Sequence, residues 1–593
     1  MYLFRQPFAT HSRKVLMLRP TLRTVVACSC TMLLAACGRE GGGGTRAKAG
    51  DVPDSLKYGG TVTVGSYGDL QSMNALVSSD NYSAQVQQYM LFMPLVKYDA
   101  KLNPVPWLAE RWDTVRVAGD SIDLTFHLRR DVKWHDGVPT TARDVLFTFD
   151  RVMDPKTAFP NASSFTPFYN PRAQLLDDYT IRFRLRPHSD FLDAWFQTPP
   201  MPEHVLGKVK PEDLLNHPFG TQTPKGNGPF RFVRHLANQE WVFEANPDFP
   251  KALGGRPYVD RIVYRPIPEM TTLLTELLTG RVDVYLGPRP PQVPQIRANP
   301  ALEVNHTSYR QWVYIAWNTR LPQFRDARVR RALTMAINRQ QIVDALLYGF
   351  ADVGRSTVTP AHWSYDPRDP QTQLPYDTAG ARRLLTEAGW IDRNRDGVLE
   401  DAQGRPFRFT LVTNQGNDTR KDITEIVQAQ LKPMGIAVEP RQMEWTTLIS
   451  KLQDDIGGER KRDYDAVVNS WVDFFRKDDR DILHGSNLDR PYQYVQFANP
   501  RADFLIDTTG VMTDRAAALP FWKEYQHLMT QEAPYTVLYY PRRIAGVNRR
   551  LHYGEMDTRG DLLNAHRWWL DPAGRRNAPR PPPAAVPVDT AKK

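Results

Sequence analysis

Cysteine is scarce in this 593-residue chain: Cys28, Cys30 and Cys37 are its only three. Downstream of them no disulfide, Cys-ligated zinc site or thiol nucleophile can be built. Long apolar runs are missing as well. The stretch TVVACSCTMLLAA, Thr24 to Ala36, is about 13 residues and too short to span a bilayer, and no later run reaches 18. HExxH, Gly-x-Ser-x-Gly and P-loop patterns are absent, and the many carboxylates show no spacing that marks an acid/base pair, so the common hydrolase and nucleotide chemistries have no foothold. The 13 histidines are scattered without paired spacing, which disfavours a His-only metal site. A formal charge of +10 is mild for this length, and most Arg and Lys read as solvated surface rather than a nucleic-acid face.

What is present begins with an address. Arg5, Arg13, Lys14, Arg19 and Arg23, with no acid among them, precede the short apolar run, and Leu34-Ala35-Ala36-Cys37 closes it. This resembles the lipobox of a bacterial lipoprotein: residues 1–36 form the signal peptide and Cys37 takes the lipid. Met17 opens a more usual leader, and cleavage lowers the formal charge to +5. Gly38 after the lipid Cys resembles the rule for outer-membrane sorting. Residues 37–57, rich in Gly and charge, read as a flexible tether, and 573–593 as a Pro-rich disordered tail. The roughly 515 residues between exceed one core and suit two or three domains.

Strand and helix signals alternate through that body. Ile122, Leu124, Phe126 and Leu128 alternate with Asp123, Thr125, His127 and Arg129, the period of a half-buried strand. Thr141 with Asp144 predicts a capping box for a helix carrying Val145, Phe149 and Met153. Asp326 is placed to cap a helix with the stripe Val329, Ala332, Leu333, Ala336 and Ile337, running to near Gly349; Asp377 starts another, closed by Gly389. Trp134-His135-Asp136-Gly137 reads as a structural corner, and Gly226-Asn227-Gly228-Pro229 as a re-entry of the chain between domains. The fold class is mixed α/β.

The same segments carry a family resemblance along nearly the whole body. PVPWLAERW (104–112), LTFHLRRDVKWHDGVPTTARDVLFTF (124–149), GNGPF (226–230), NPDF (246–249), AWNTRLPQFRDARVRRALTMAINR (316–339), LLTEAGW (384–390) and YDAVVNSW (464–471) resemble, in order and spacing, family 5 of the extracellular solute-binding proteins, the peptide and nickel class serving ABC importers. The resemblance implies a periplasmic-binding-protein-like fold (type II, cluster C) with three lobes and hinge closure. It implies domain I from 58–100, 222–310 and 536–572, an inserted domain II at 101–221, and domain III at 311–535. The expected function is capture of di- or oligopeptides for an inner-membrane ABC permease by a monomer on the periplasmic side, without catalysis, cofactor or nucleic acid. The alternatives are a non-peptide solute, such as a metal complex or sugar, and a cell-envelope hydrolase.

In peptide-binding members an Asp shortly after the YDA…W segment pairs with the ligand's α-amino group. The resemblance therefore implies Asp473 as amine anchor and Trp471 as part of the cleft wall, with Asp478, Asp479 and Asp481 as competitors, because the spacing is shorter than usual and no Pro follows. One motif stands apart: Asp392, Asn394 and Asp396, followed by Gly397, match the first half of a calcium loop. Gln403 occupies the twelfth place, where Glu400 and Asp401 are substitutes, so the readings are a structural calcium ion or a plain polar turn.

Overall fold

The computed structural model of the chain describes residues 52–575 except 79, 118–120, 170–172, 454–461, 474 and 555. The leader, Cys37, most of the tether and the tail beyond 575 lie outside the described residues.

Two sheets share one strand. In the first, the order runs Phe230–Leu236, Glu240–Ala245, Arg261–Pro266, Thr61–Ser66, Val284–Leu286 and then Tyr535–Asn548. Thr61–Ser66 is parallel to both its neighbours and buries Val62 and Val64 completely. In the second, Ala437–Met443, Arg408–Asn414, Ala466–Val472 and Gln311–Trp317 lead to the same Tyr535–Asn548. Its first half pairs with Gln311–Trp317 and Ala351–Val353, its second half with Leu302–Ser308 and Val284–Leu286. The chain thus passes between the sheets at two adjacent places, Tyr309-Arg310 and Pro541-Arg542.

Gln311–Trp317 shows why the second sheet is covered on both faces. Val313, Ile315 and Trp317 pack against helices Ala327–Ala336 and Asp418–Leu431, while Trp312, Tyr314 and Ala316 meet helices Trp445–Gln453, Pro500–Val511 and Arg515–Glu532. A strand buried on both sides reads as a continuous apolar run, as WVYIAW does.

A third, antiparallel sheet is ordered Ala109–Val117, Ser121–Leu128, Thr180–Leu185, Gln174–Asp177. Ser121–Leu128 is buried on both faces rather than half-buried, because Arg184 clasps Asp123 at 2.7 and 3.0 Å and Arg182 reaches Thr125 at 3.3 Å. The helix Ala142–Met153 starts at the expected capping box, Asp144 Oδ2 accepting from Thr141 N at 2.8 Å. The helix expected from Asp326 to Gly349 is two: Ala327–Ala336 stops at extended Ile337, and Asn338 caps Arg339–Leu347 through Gln341 N. Asn338 competes for the backbone and resets the chain, a local signal that outweighs the apolar stripe. Thr378–Glu387, capped by Asp377, follows expectation.

The two glycine motifs form one joint. Gly137 turns at φ 93°, Trp134 N donates to Val138 O, and the His135 ring contacts Gly228 O at 3.0 Å. Gly226 presses on the helical segment Gln87–Leu91 so closely that a Cβ would stand 2.0 Å from Leu91 O. His135 is enclosed there, its pKa lowered to about 4 by burial.

Candidate functional site

Between the first and second sheets lies a cavity of about 720 Å³ whose base is formed by the two crossings, Tyr309 on one strand connection and Tyr539, Pro541, Arg542 and Arg543 on the other. Tyr67, Tyr82, Met270 and Arg289 wall it on the first-sheet side; Asn417, Arg420, Ser470 and Val472 wall it on the second. A smaller space of about 430 Å³, bounded by Gln85, Gln88, Phe196, Arg310, Asp473 and Phe475 among others, shares Asn81, Tyr309 and Val472 with it. The two are chambers of one cleft.

Asp473 closes the smaller chamber. It follows Ala466–Val472, and its N–H donates to Arg310 O at 2.7 Å, which fixes its backbone to the crossing. Lys477 Nζ lies 3.0 Å from Asp473 Oδ1 and 2.8 Å from Asp479 Oδ1. Trp312 Nε1 donates to Asp473 Oδ1 at 3.4 Å, and Thr357 and Tyr525 hydroxyls donate to Asp479 Oδ2 at 2.7 and 2.5 Å. Side-chain exposures of 14% for Asp473, 2% for Lys477 and 3% for Asp479 mark where the group opens: only Asp473 reaches the cavity. Two carboxylates and one ammonium leave a single negative charge in excess. Burial raises the Asp473 pKa against the pull of Lys477; burial works against the Lys477 charge, yet the two carboxylates outweigh it and its pKa is raised too. Both directions describe one group that gains by taking up a positive charge.

Arg420 supplies the opposite character in the larger chamber. It stands in the first turn of Asp418–Leu431, its N–H accepted by the capping Asn417 at 3.0 Å. Its guanidinium donates to Asn414 Oδ1 and Ser470 Oγ, each at 2.8 Å, and no carboxylate pairs with it among the described residues. Burial lowers its pKa, so an incoming anion is favoured. Arg310 also faces the smaller chamber; it donates to Asp473 O at 2.7 Å and lies 4.2 Å over the Phe475 ring, with Nε lacking an acceptor.

The Asp473 segment also reaches across the molecule. Phe475 packs between Tyr98 and Phe196, centroids 5.1 and 5.2 Å away. Ser189 N donates to Gly510 O at 2.9 Å, Arg515 binds Leu102 O at 2.7 Å and Asp190 at 3.1 Å, and Arg476 meets His188, whose pKa burial and that guanidinium lower to about 4. The loop that presents the anion is thus part of the contact joining the second-sheet lobe to the rest.

Among the other residues singled out by sequence, Trp471 alternates away from cavity-lining Ser470 and Val472. It stands among Tyr314, Tyr494 and Tyr492, at 6.3, 5.3 and 5.8 Å, and borders neither chamber. Asp478 is held by Arg476 at 3.3 Å, and Asp481 accepts from Asn487 at 3.4 Å. Asp392, Asp396 and Glu400 each offer an oxygen within 4.8 Å of the others. Asn394 instead joins Asp396, Nδ2 to Oδ2 at 3.2 Å, and Asp401 turns to Arg405 at 2.6 Å. Calcium takes 6–8 oxygens in general, and these three carboxylates are the share the loop's acids supply. Sequence reasoning missed Arg420 and Arg310; the only signal for Arg420 was a cationic residue in the first turn of a capped helix, where its charge opposes the dipole.

A sequence model described as bacterial extracellular solute-binding proteins, family 5 Middle, matches residues 103–486. The oligopeptide-binding protein AppA of Bacillus subtilis is 32% identical over 546 residues, 91% of this chain and 96% of the relative. A solved structure of that protein in complex with a nonapeptide superposes with a TM-score of 0.69 at 31% identity, covering 87% of this chain and 99% of that one. Heme-binding protein A of Haemophilus influenzae is 26% identical over 492 residues, 78% of this chain and 83% of the relative. The fold is the periplasmic-binding-protein type, and the chain belongs to the family 5 extracellular solute-binding proteins. No described helix is long and apolar enough to cross a membrane.

Proposed function

We propose that this family 5 solute-binding protein captures peptides in the cleft between its sheets and delivers them to an ABC importer. The observation that carries the reading is the charge layout: the buried Asp473–Lys477–Asp479 group turns the Asp473 carboxylate, beside Arg310, to one chamber, and the carboxylate-free Arg420 faces the other. A zwitterionic ligand satisfies both, its ammonium on Asp473 and its carboxylate on Arg420. Relatives that bind oligopeptides support the peptide class. The haem of another relative, or a metal complex, finds less support, since neither chamber is lined by a His or Cys among the described residues.

Binding needs no catalytic step. Ligand contacts to both walls favour the closed arrangement, with Tyr309-Arg310 and Pro541-Arg542 as the hinge, and the permease reads that arrangement. The discontinuous domain I of 58–100, 222–310 and 536–572, the inserted 101–221 and the third domain 311–535 are the moving parts of this reading. Lipid at Cys37 holds a monomer to the periplasmic side of a membrane. Native mass spectrometry of the protein purified from cells, before and after mild denaturation, tests the proposal: co-purifying peptides are expected, and a cleft that stays empty under every condition refutes it.

A further inference from the structure

A third cavity, of about 560 Å³, shares no residue with the cleft and sits where Gly60 and Thr61 lead into the first sheet. Four guanidinium groups, Arg231, Arg256, Arg261 and Arg575, line it against two carboxylates, Glu244 and Asp260. Asp260 is already taken, by Arg256 at 2.5 Å and by Gly60 N at 3.0 Å. Glu244 stands 4.0 Å from Arg231, too far for a hydrogen bond. Arg575 donates to a backbone carbonyl, Leu56 O, and the Arg261 side chain makes no hydrogen bond or ion pair among the described residues. The Nε atoms of Arg231 and Arg575 are buried without an acceptor among the described residues. The cavity therefore holds two positive charges beyond its carboxylates, carried by guanidinium groups, the side chains suited to taking a phosphate through paired N–H bonds.

Two residues outside its lining, Leu56 bonded to Arg575 and Tyr58 stacked with Arg256, have a different chemistry. Leu56 is 52% and Tyr58 39% exposed, and Arg256 lies 5.5 Å over the Tyr58 ring. Arginine beneath an exposed aliphatic and an exposed aromatic side chain matches a lipid–water boundary, where cations meet headgroup phosphates and amphipathic rings sit at headgroup level. We propose that this pocket binds the phosphate of an anionic phospholipid headgroup and docks this end of the first sheet on a membrane surface, independently of the peptide cleft.

The test compares full-length protein on phosphatidylcholine vesicles with and without about 30% phosphatidylglycerol, at low salt where surface charge is least screened. Wild type is expected to prefer the anionic vesicles. Arg261→Gln with Arg575→Gln should lose about 30-fold of that preference, at about 1 kcal/mol per arginine near an anionic surface. Arg143→Gln with Arg441→Gln, exposed arginines elsewhere, should keep it. Arg261→Gln alone serves if the double variant fails to fold, because that side chain has no bond to lose, and about a 5-fold loss is then expected. An unchanged preference in the pocket variants, or an equal loss in the remote pair, overturns the proposal. Inorganic phosphate supplies the second arm: slower hydrogen exchange at Gly60 to Arg261 contacts with free phosphate, but no anionic-vesicle preference, assigns the pocket to a soluble anion and overturns the lipid.

Discussion

Replacing Asp473 by Asn removes a charge from the group that the ligand's ammonium is proposed to meet, while keeping its shape. Within the wild-type group of two carboxylates and Lys477 the excess charge is −1, with Asp473 its only member open to the cavity, which Arg310 also faces. In Asp473→Asn the remaining Lys477 and Asp479, 2.8 Å apart, are neutral as a pair, so folding is little affected and the loss falls on binding. Removing one partner of a buried charge pair costs about 2–5 kcal/mol; Asn still accepts a hydrogen bond, which places the loss near the lower end, about 2–3 kcal/mol. At about 1.4 kcal/mol per decade, that is a 30- to 150-fold weaker Kd. Isothermal titration with one peptide in two forms, free-amine and N-acetylated, isolates the effect. Wild type should favour the free amine, and Asp473→Asn should bind both forms alike. A variant that keeps the wild-type ratio between the two forms refutes the amine anchor, whatever happens to absolute affinity. Acid gives the same answer by another route: the Asp473 carboxyl is pushed up by burial, so the preference is present at neutral pH and is lost as pH falls through that raised pKa, above the range of an exposed carboxylate.

Arg420→Gln should cost a free-acid peptide about 30-fold or more while leaving its C-terminal amide within about threefold, read by the same titration. Asp193, buried with a pKa raised to about 6 by desolvation, binds protons more tightly folded than unfolded, so it weakens the fold above that pKa and the penalty disappears as pH falls below the unfolded value. Asp193→Asn should therefore raise stability at pH 7–8 by about 1–3 kcal/mol and by nearly nothing near pH 4, measured as urea midpoints. Gly226→Ala, whose Cβ would meet Leu91 O at 2.0 Å, should destabilise by about 3 kcal/mol or more in the same assay. Arg515→Ala removes the bonds to Leu102 O and Asp190 that join lobes, and should weaken free-amine and N-acetylated peptides equally, by about 3- to 10-fold, with a larger radius of gyration by X-ray scattering.

How far the sequence reached depended on whether a feature was local. The Thr141 capping box and the Asp377 helix start are dictated within four residues, and the structure has both. The break at Asn338 was also local, but an apolar stripe of five residues hid it, since a cap and a stripe are different kinds of signal. Ser121–Leu128 failed differently: its polar face is covered by Arg182 and Arg184, about 60 positions away, and no window along the chain contains that pairing. The site obeys the same division. That Asp473 borders the cleft was legible because it follows a recognisable strand, whereas Arg420, 53 positions earlier, reaches the cleft only because Arg408–Asn414 pairs with Ala466–Val472 and brings Ser470 to the guanidinium. Trp471 and Ser470 show how narrow the margin is. Adjacent on one strand, they point to opposite faces, Ser470 to the cleft and Trp471 to an aromatic stack, and a motif that names the strand does not say which parity faces the cleft. Parity is set by which side of the second sheet receives the first, and that is decided at Tyr309-Arg310 and Pro541-Arg542, where the sequence carries no periodic signal at all.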